Sequence, residues 1–323
     1  MRTLVYLCYG RGPHVFETAF SLLSAFRFPS QEQCRHQYVI YTDDPESFIE
    51  LGVELVILDA ATLGAWMGKG GYIHRRKTMT IVDALNRFPG AVVFVDSDTY
   101  FLKPPARLFD KVGPGLCRLH ILEARLLESG TRINRAISEV IDRNTFRDLS
   151  GRSFNISPNA TMWNSGVLGV HSSEAYLIEE ALNLIDQIWP KLQNNPLSVH
   201  TVDQLAYSYF LERNRVSESY DIVYHYWPAN LRAPFRHRLP EILASGKGSP
   251  LKERGQIAFA ERPQTETLRK VKMGVRAGLR RLGVQVAGIR TNDGIRPPLV
   301  TSRAHHRVRS CRSIPLTRRT GPR

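Results

Sequence analysis

Short apolar runs alternate with helical spacing patterns along the first hundred residues of the chain. The helical patterns cover residues 15–26 and about 74–87, and the second follows a glycine-rich loop. Run 91–95 is continuously apolar, as are parallel strands covered on both faces. The apolar runs predict strands at residues 3–8, 38–42, 53–58 and 91–95. This alternation predicts an α/β fold with a mostly parallel, Rossmann-like central sheet.

The second half of the chain has a less regular pattern. Residues 118–149 are rich in charge, and we expect them to be helical. Further strands are predicted at 163–170 and 220–226, and further helices at 173–189, ended by Pro190, and at 201–211. In the first helix, the spacing predicts an apolar face made of Phe16, Ala19, Phe20, Leu23 and Phe26.

The positive charge of the chain is concentrated at its carboxyl end. The 323 residues carry a net charge of +14, but residues 265–323 alone hold 15 Lys and Arg against two acidic residues. The other 264 residues hold 29 basic and 28 acidic groups and are nearly neutral. A neutral body without a basic groove argues against nucleic acid as a partner.

An amphipathic pattern marks the start of this basic tail. Apolar residues recur at spacings of three and four from Leu268 to Ile289, with Lys and Arg between them. Such a helix, predicted over 263–289, is typical of contact with an anionic membrane surface, although docking on the body or disorder are alternatives. Residues 290–323 contain few large apolar side chains, so we expect a disordered basic tail there.

The cysteines and apolar runs bear on localisation. Four cysteines without a C-x-x-C pair indicate a reducing compartment. No run approaches the 18 or so apolar residues of a membrane span, and the amino-terminal stretch is too short for a signal-peptide core. We therefore expect a cytoplasmic protein that contacts the inner face of the membrane peripherally.

Two carboxylates follow the apolar run 91–95. Asp96 and Asp98 lie at the carboxyl end of a predicted buried strand, the edge of an open α/β sheet where ligands bind. Carboxylates this close repel unless a cation lies beside them, and oxygen ligands favour Mg²⁺ or Mn²⁺. The alternative is a solvated turn at the end of the strand.

The block 92–105 resembles the D-x-D region of GT-A-fold glycosyltransferases, nearest to glycosyltransferase family 8. Other segments resemble parts of that family in the expected order: 3–10, 74–77, 162–167, 201–204 and 223–227. The resemblance spans about residues 1–240, and the ordered combination carries it. It implies a single GT-A-like nucleotide-diphospho-sugar transferase domain over 1–262. The implied activity is metal-dependent transfer from a nucleotide sugar, with UDP as the default nucleotide, to a glycan or lipid-linked acceptor.

The resemblance also implies roles for individual residues. Asp96, Asp98 and His225 would hold Mn²⁺ or Mg²⁺ between the donor phosphates. Asn164 and Asp203 would bind hydroxyls of the donor sugar, and Gln204 would line the anomeric centre. The implied donor contacts are Tyr6, Cys8, Tyr9, Arg75, Lys77, Asp96, Ser97, Ser165, Gly166 and Arg232.

One departure from the family follows His225. The family commonly has Gly and Lys there as phosphate contacts, whereas this chain has residues 228–232, of which Arg232 could supply the charge. Acceptor contacts are expected from the second half of the chain, near His120 and Glu123.

Each of these residues also has a structural interpretation. His225 lies among aromatic residues and could be a core histidine, and residues 75–77 could be a solvated helix start. Asn164 could form a turn, and Asp203 could stabilise a helix amino terminus.

Two other functions use similar features. A haloacid-dehalogenase-type phosphohydrolase also has D-x-D after a strand, but Tyr100 occupies the position where that motif requires Thr or Val. The other alternative is a protein that binds nucleotide sugars without turnover.

Overall fold

The computed structural model describes residues 1–29, 36–195 and 201–265. The strands in these ranges are β1 (Arg2–Cys8), β2 (Gln37–Thr42), β3 (Glu54–Ile57), β4 (Ala91–Val95), β5 (Thr99–Phe101), β6 (Leu116–Arg125), β7 (Phe146–Arg147), β8 (Ser153–Phe154), β9 (Thr161–His171), β10 (Arg215–Glu218) and β11 (Val223–His225). The helices are α1 (Pro13–Phe26), α2 (Ala60–Trp66), α3 (Arg75–Arg87), α4 (Ala106–Phe109), α5 (Arg132–Asp142), α6 (Ala175–Leu192), α7 (Val202–Leu211), α8 (Ala229–Ser245) and α9 (Leu251–Glu261).

Seven strands form the central sheet, in the order β10-β6-β9-β4-β1-β2-β3. Strand β9 is antiparallel to its neighbours β4 and β6, and the other neighbouring pairs are parallel. The chain places β2 and β3 on one side of β1 and then returns to place β4 on the other side. The carboxyl ends of β1 and β4 therefore flank a topological switch point, where open α/β sheets bind ligands. The predicted α/β class with a mostly parallel sheet is confirmed.

The sheet is covered on both faces by separate apolar cores. Alternate residues of a strand point to opposite faces, and Val92 and Phe94 of β4 enter one core while Val93 and Val95 enter the other. The first core also contains buried residues of α3, α6 and α7, and the second contains residues of α1 and α4. This double coverage explains the continuous apolar run that precedes the two aspartates.

The predicted apolar face of α1 is wrong at one position. Phe16 is 40% exposed, whereas its neighbour Glu17 is completely buried. The reason is that α8 and α9 cover a second side of α1, which the spacing of α1 alone does not show. The approach is close at Gly255 of α9, where an added Cβ would collide with the backbone oxygen of Leu23.

The prediction of a helix over 118–149 is also wrong. Strand β6 occupies the first part of that segment, paired with β9 on one side and β10 on the other. The charged and polar residues of β6 hide the apolar pattern expected of a buried strand. Arg118, for example, is buried in the sheet and donates a hydrogen bond from its guanidinium to the backbone oxygen of Glu218. A helix begins only at α5, where the hydroxyl of Thr131 accepts a hydrogen bond from the backbone N–H of Asn134.

Other boundaries differ less from the prediction. Helix α6 continues past Pro190 to Leu192, and the predicted strand 220–226 is the shorter β11, which pairs with β5 outside the central sheet. Helices α2, α4, α8 and α9 have no counterpart among the predicted helices. Apart from residues 263–265, the predicted amphipathic helix 263–289 and the tail 290–323 lie outside the described residues. None of the helices in the described ranges has the length and apolar character needed to cross a membrane.

Candidate functional site

The two aspartates and His225 are brought together by the short bend between β4 and β5 and by the pairing of β5 with β11. The backbone N–H of Asp96 donates to the backbone oxygen of Gly166 in β9, and the chain then continues into β5. Strand β11 pairs with β5 so that His225 lies opposite Thr99, directly after the second aspartate. The imidazole therefore lies at the carboxyl edge of the sheet, beside the switch point.

The donor atoms of these three residues have the spacing of a metal site. Nε2 of His225 lies 3.2 Å from Oδ1 of Asp98 and 4.0 Å from Oδ2 of Asp96. All three donors lie within 4.8 Å of one another. In an octahedral site with bonds of about 2.1 Å, neighbouring donors are roughly 3.0 Å apart and opposite donors about 4.2 Å apart. The group could hold a divalent metal ion.

Hydrogen bonds to Asn164 orient the imidazole. Oδ1 of Asn164 accepts the backbone N–H of Gly166 at 2.9 Å and lies 3.0 Å from Nδ1 of His225. Nδ2 of the same amide donates to Oε1 of Glu123 at 2.9 Å, which assigns the two ends of the amide group. An oxygen facing Nδ1 requires a proton on that nitrogen. In the neutral ring, the lone pair is then on Nε2, which faces the aspartates.

Gly166 leaves the space that the imidazole occupies. A Cβ atom added at this position would collide with Nδ1 and Cε1 of His225. The resemblance implied a donor contact for Gly166, and the structure gives it this packing role beside the histidine.

Positive groups balance both carboxylates. Lys77 is buried, and its Nζ lies 2.9 Å from Oδ1 of Asp96 and donates to the backbone oxygen of Ser165 at 2.8 Å and to its hydroxyl at 3.1 Å. Nη1 of Arg232 lies 2.9 Å from Oδ2 of Asp98. Lys77 therefore forms an ion pair with Asp96, whereas the resemblance implies a contact between Lys77 and the nucleotide-sugar donor.

The pKa of Asp98 reflects this environment. Burial opposes ionisation of the carboxyl group, but the positive charge and the Nε2–H donor of a protonated His225, together with the guanidinium of Arg232, outweigh it, and the pKa lies well below its ordinary value. A bound metal ion would take the place of this proton on Nε2. Asp98 is therefore an anion at neutral pH, as a metal ligand must be. The pKa of Arg232 is raised despite burial, because Glu17 and Asp98 stabilise the charged guanidinium.

A second polar cluster adjoins the histidine. Gln204, at the start of α7, donates from Nε2 to Oε2 of Glu123 at 2.9 Å, so this carboxylate joins two of the predicted catalytic residues, Gln204 and Asn164. Next to Gln204, the hydroxyl of Tyr72 donates a hydrogen bond to Oδ1 of the buried Asp203, at 2.8 Å. Burial and the charge of Asp203 raise the pKa of Tyr72 well above its ordinary value.

From the sequence, Glu123 is expected only to lie near the contacts of the acceptor. Its position between two amides was hidden because the segment was predicted to be helical. The sequence does not indicate the contact of Tyr72 with Asp203, because the two residues lie 131 positions apart in the chain.

The side chains of three predicted donor contacts are buried or paired with other residues. Tyr6 is completely buried with its hydroxyl 3.0 Å from the hydroxyl of Ser21, so its side chain belongs to the core and cannot contact a ligand there. Cys8 is also buried, which raises its thiol pKa to about 12. Arg75 pairs with Asp186, with its Nε 2.7 Å from Oδ1.

Two remaining positions lie at the edge of the sheet. Tyr9 is half-buried just after β1, with the guanidinium of Arg76 4.6 Å from the centre of its ring. Ser97 is half-buried between the two aspartates.

Comparisons of the chain with models of known protein families and with curated proteins give no match. The resemblance to GT-A glycosyltransferases therefore stays a prediction from the sequence. The structure itself shows an α/β protein in which Asp96, Asp98 and His225 converge on a possible metal site. Around this group lie Asn164, Ser165, Gly166, Gln204 and Arg232 of the predicted residues, together with Glu123.

Proposed function

We propose that this protein is a metal-dependent glycosyltransferase of the GT-A type, which moves a sugar from a nucleoside-diphosphate sugar to a glycan or lipid-linked acceptor. The observation that carries the proposal is the convergence of Asp96, Asp98 and His225 at the carboxyl edge of a mostly parallel sheet. Two hard carboxylates with one imidazole suit Mn²⁺ somewhat better than Mg²⁺. UDP is the nucleotide we expect, from the resemblance of the sequence.

The chemistry requires stabilisation of a leaving diphosphate. A divalent metal bound here would act as a Lewis acid on the phosphate oxygens. Asp96, Asp98 and His225 would hold the ion, and Lys77 would orient the carboxylate of Asp96. Arg232 lies beside Asp98 with its side chain one quarter exposed, so its remaining N–H groups add positive charge where the phosphates would lie.

The cluster around Glu123 is the candidate for contact with the reacting sugar. Asn164 and Gln204 each donate one amide hydrogen to this carboxylate and so hold it in one orientation. Asp203, next to Gln204 and held by the hydroxyl of Tyr72, is assigned to a hydroxyl of the donor sugar from the resemblance of the sequence. We assign Asn164 mainly to the orientation of His225.

The acceptor and the location of the reaction are inferred from the sequence of the tail. The basic stretch from Leu268 to Ile289 lies outside the described residues, and we propose that it brings the cytoplasmic protein to an anionic membrane surface where a lipid-linked acceptor lies.

The direct test is a panel of UDP-, GDP- and TDP-sugars incubated with the full chain and Mn²⁺, with release of nucleoside diphosphate as the readout. We expect hydrolysis of one donor class, loss of that activity with a chelator, and its return on addition of Mn²⁺. Glu123→Gln should lower the rate of donor hydrolysis, because this carboxylate is proposed to contact the reacting sugar and its two amide donors hold it in place. Turnover of p-nitrophenyl phosphate with no donor hydrolysis would instead support a phosphohydrolase and refute the proposal.

A further inference from the structure

A completely buried carboxylate lies behind the candidate metal site, on the side of α1. Glu17 has no exposed surface, although the preceding residue of the same helix, Phe16, is exposed to solvent. A charge in such a place is costly unless it is paired and hydrogen-bonded. Two arginines of α8 provide the pairing, Arg232 and Arg236.

The contact with Arg232 is bidentate. Nε of Arg232 donates to Oε1 of Glu17 at 2.7 Å, and Nη2 donates to Oε2 at 2.5 Å. A guanidinium bound in this manner is fixed in its plane, because its donors form a rigid fork. The remaining nitrogen, Nη1, then lies 2.9 Å from Oδ2 of Asp98. Arg236 also contacts Oε1 of Glu17, at 3.2 Å.

The two oxygens of Asp98 consequently have different partners. Arg232 takes Oδ2, while Oδ1 faces Nε2 of His225 at 3.2 Å. Metal ligands of this kind are usually oriented by hydrogen bonds to groups behind them. A carboxylate held in this way offers a metal one oxygen only.

We propose that Glu17 and Arg232 are a pair of positioning residues for the metal and its diphosphate ligand. Glu17 fixes the plane of the Arg232 guanidinium. Arg232 directs Oδ1 of Asp98 toward the ion and presents its other N–H groups to an anionic group bound beside it. This inference deepens the proposed function and rests on it, because it requires a divalent ion at Asp98 and His225.

The substitution that tests the pair is Arg232→Lys. Lysine keeps the positive charge but is a point donor, and it cannot bind two oxygens of Glu17 and one of Asp98 in a single plane. A loss of affinity would therefore report the orientation of Asp98 and not the charge near the ion. Arg236→Lys is the matched control, because Arg236 contacts Glu17 from the same helix, and its contacts in the structure do not include Asp98.

The measurement is calorimetric titration of the full chain with Mn²⁺ alone and then with pyrophosphate in the presence of Mn²⁺. We expect Arg232→Lys to weaken Mn²⁺ binding about 10- to 100-fold and pyrophosphate binding further, with Arg236→Lys close to wild type. Glu17→Gln should weaken Mn²⁺ binding in the wild-type chain and add little in the Arg232→Lys chain, since its effect passes through the arginine.

The outcomes separate this inference from the proposed function. Wild type that binds Mn²⁺ while Arg232→Lys binds it equally well overturns the positioning role alone. Wild type that binds no Mn²⁺ overturns the proposed function and the inference together. If Glu17→Gln does not fold, the comparison of the two lysine variants still decides, with circular dichroism as the check on folding.

Discussion

Nδ1 of His225 lies 3.0 Å from Oδ1 of Asn164, and this contact aims the opposite ring nitrogen at the two aspartates. The same amide oxygen accepts the backbone N–H of Gly166, and the amide nitrogen donates to Glu123. One asparagine therefore connects the possible metal ligands with the cluster proposed to contact the sugar. The metal site and the reacting centre are expected to depend on each other.

Removing the Asn164 side chain should loosen the imidazole. We expect Asn164→Ala to weaken Mn²⁺ binding about 10- to 100-fold, because outer hydrogen bonds of this kind orient metal ligands. Calorimetric titration measures the change. Asn183→Ala is the control, since Asn183 donates to a backbone oxygen of Arg147 on the surface and not to a ligand. Equal affinity in the two variants would refute the orienting role.

Gly166 provides an independent test of the position of the histidine. Gly166→Ala should displace the imidazole and reduce Mn²⁺ binding, because the new Cβ would overlap Nδ1 of His225. Gly169→Ala is the matched control, because Gly169 lies in the same strand, β9, as Gly166. Its added Cβ would lie 2.7 Å from the side chain of Val112, and His225 is not among its nearest neighbours. Both variants should lower the thermal stability. Loss of Mn²⁺ binding confined to Gly166→Ala is the expected result, and loss in both variants to the same extent would argue against it.

The D-x-D strand could be predicted from sequence, whereas the residues behind it could not. Residues 91–95 are apolar without interruption because β4 is covered on both faces, so Asp96 and Asp98 stand out at its end. The position of Glu123 cannot be predicted because β6 contains buried polar residues such as Arg118, whose partner is the backbone of β10, 100 residues further along the chain. Glu17 was hidden because α8, which carries its arginine partners, lies 215 residues further along the chain.

The buried thiol of Cys8 gives a prediction on pH. Its pKa is raised from 9.0 to about 12, chiefly by burial. Between these values the native state keeps a proton that the unfolded state releases, so this group's contribution to stability is complete below pH 9 and is lost as the pH rises toward 12. At pH 9 we expect alkylation of Cys8 to be slow in the native protein and fast in urea. Peptide mass spectrometry measures the extent of alkylation with time. Equal rates in the two conditions would show that the thiol is accessible.

The basic tail gives a prediction on membrane contact. Full-length protein should sediment with anionic vesicles at low salt, remain in solution with neutral vesicles, and be released at high salt. Each cation near the surface contributes about 1 kcal/mol, so neutralising several should abolish sedimentation. The variant replaces with glutamine the residues Arg269, Lys270, Lys272, Arg276, Arg280 and Arg281. Sedimentation that survives in this variant would exclude the basic face of residues 268–289 as the contact.

The most direct test of a metal-dependent nucleotide-sugar site is UDP binding with and without Mn²⁺, in wild type and in Asp98→Asn. Asp110→Asn is the control, because Asp110 is exposed and pairs with Arg107 on the surface. We predict that Mn²⁺ strengthens UDP binding about tenfold or more in wild type and in the control, and that Asp98→Asn loses this gain while it remains folded. UDP binding that is indifferent to Mn²⁺ in wild type, or a gain that persists in Asp98→Asn, would contradict the proposed site.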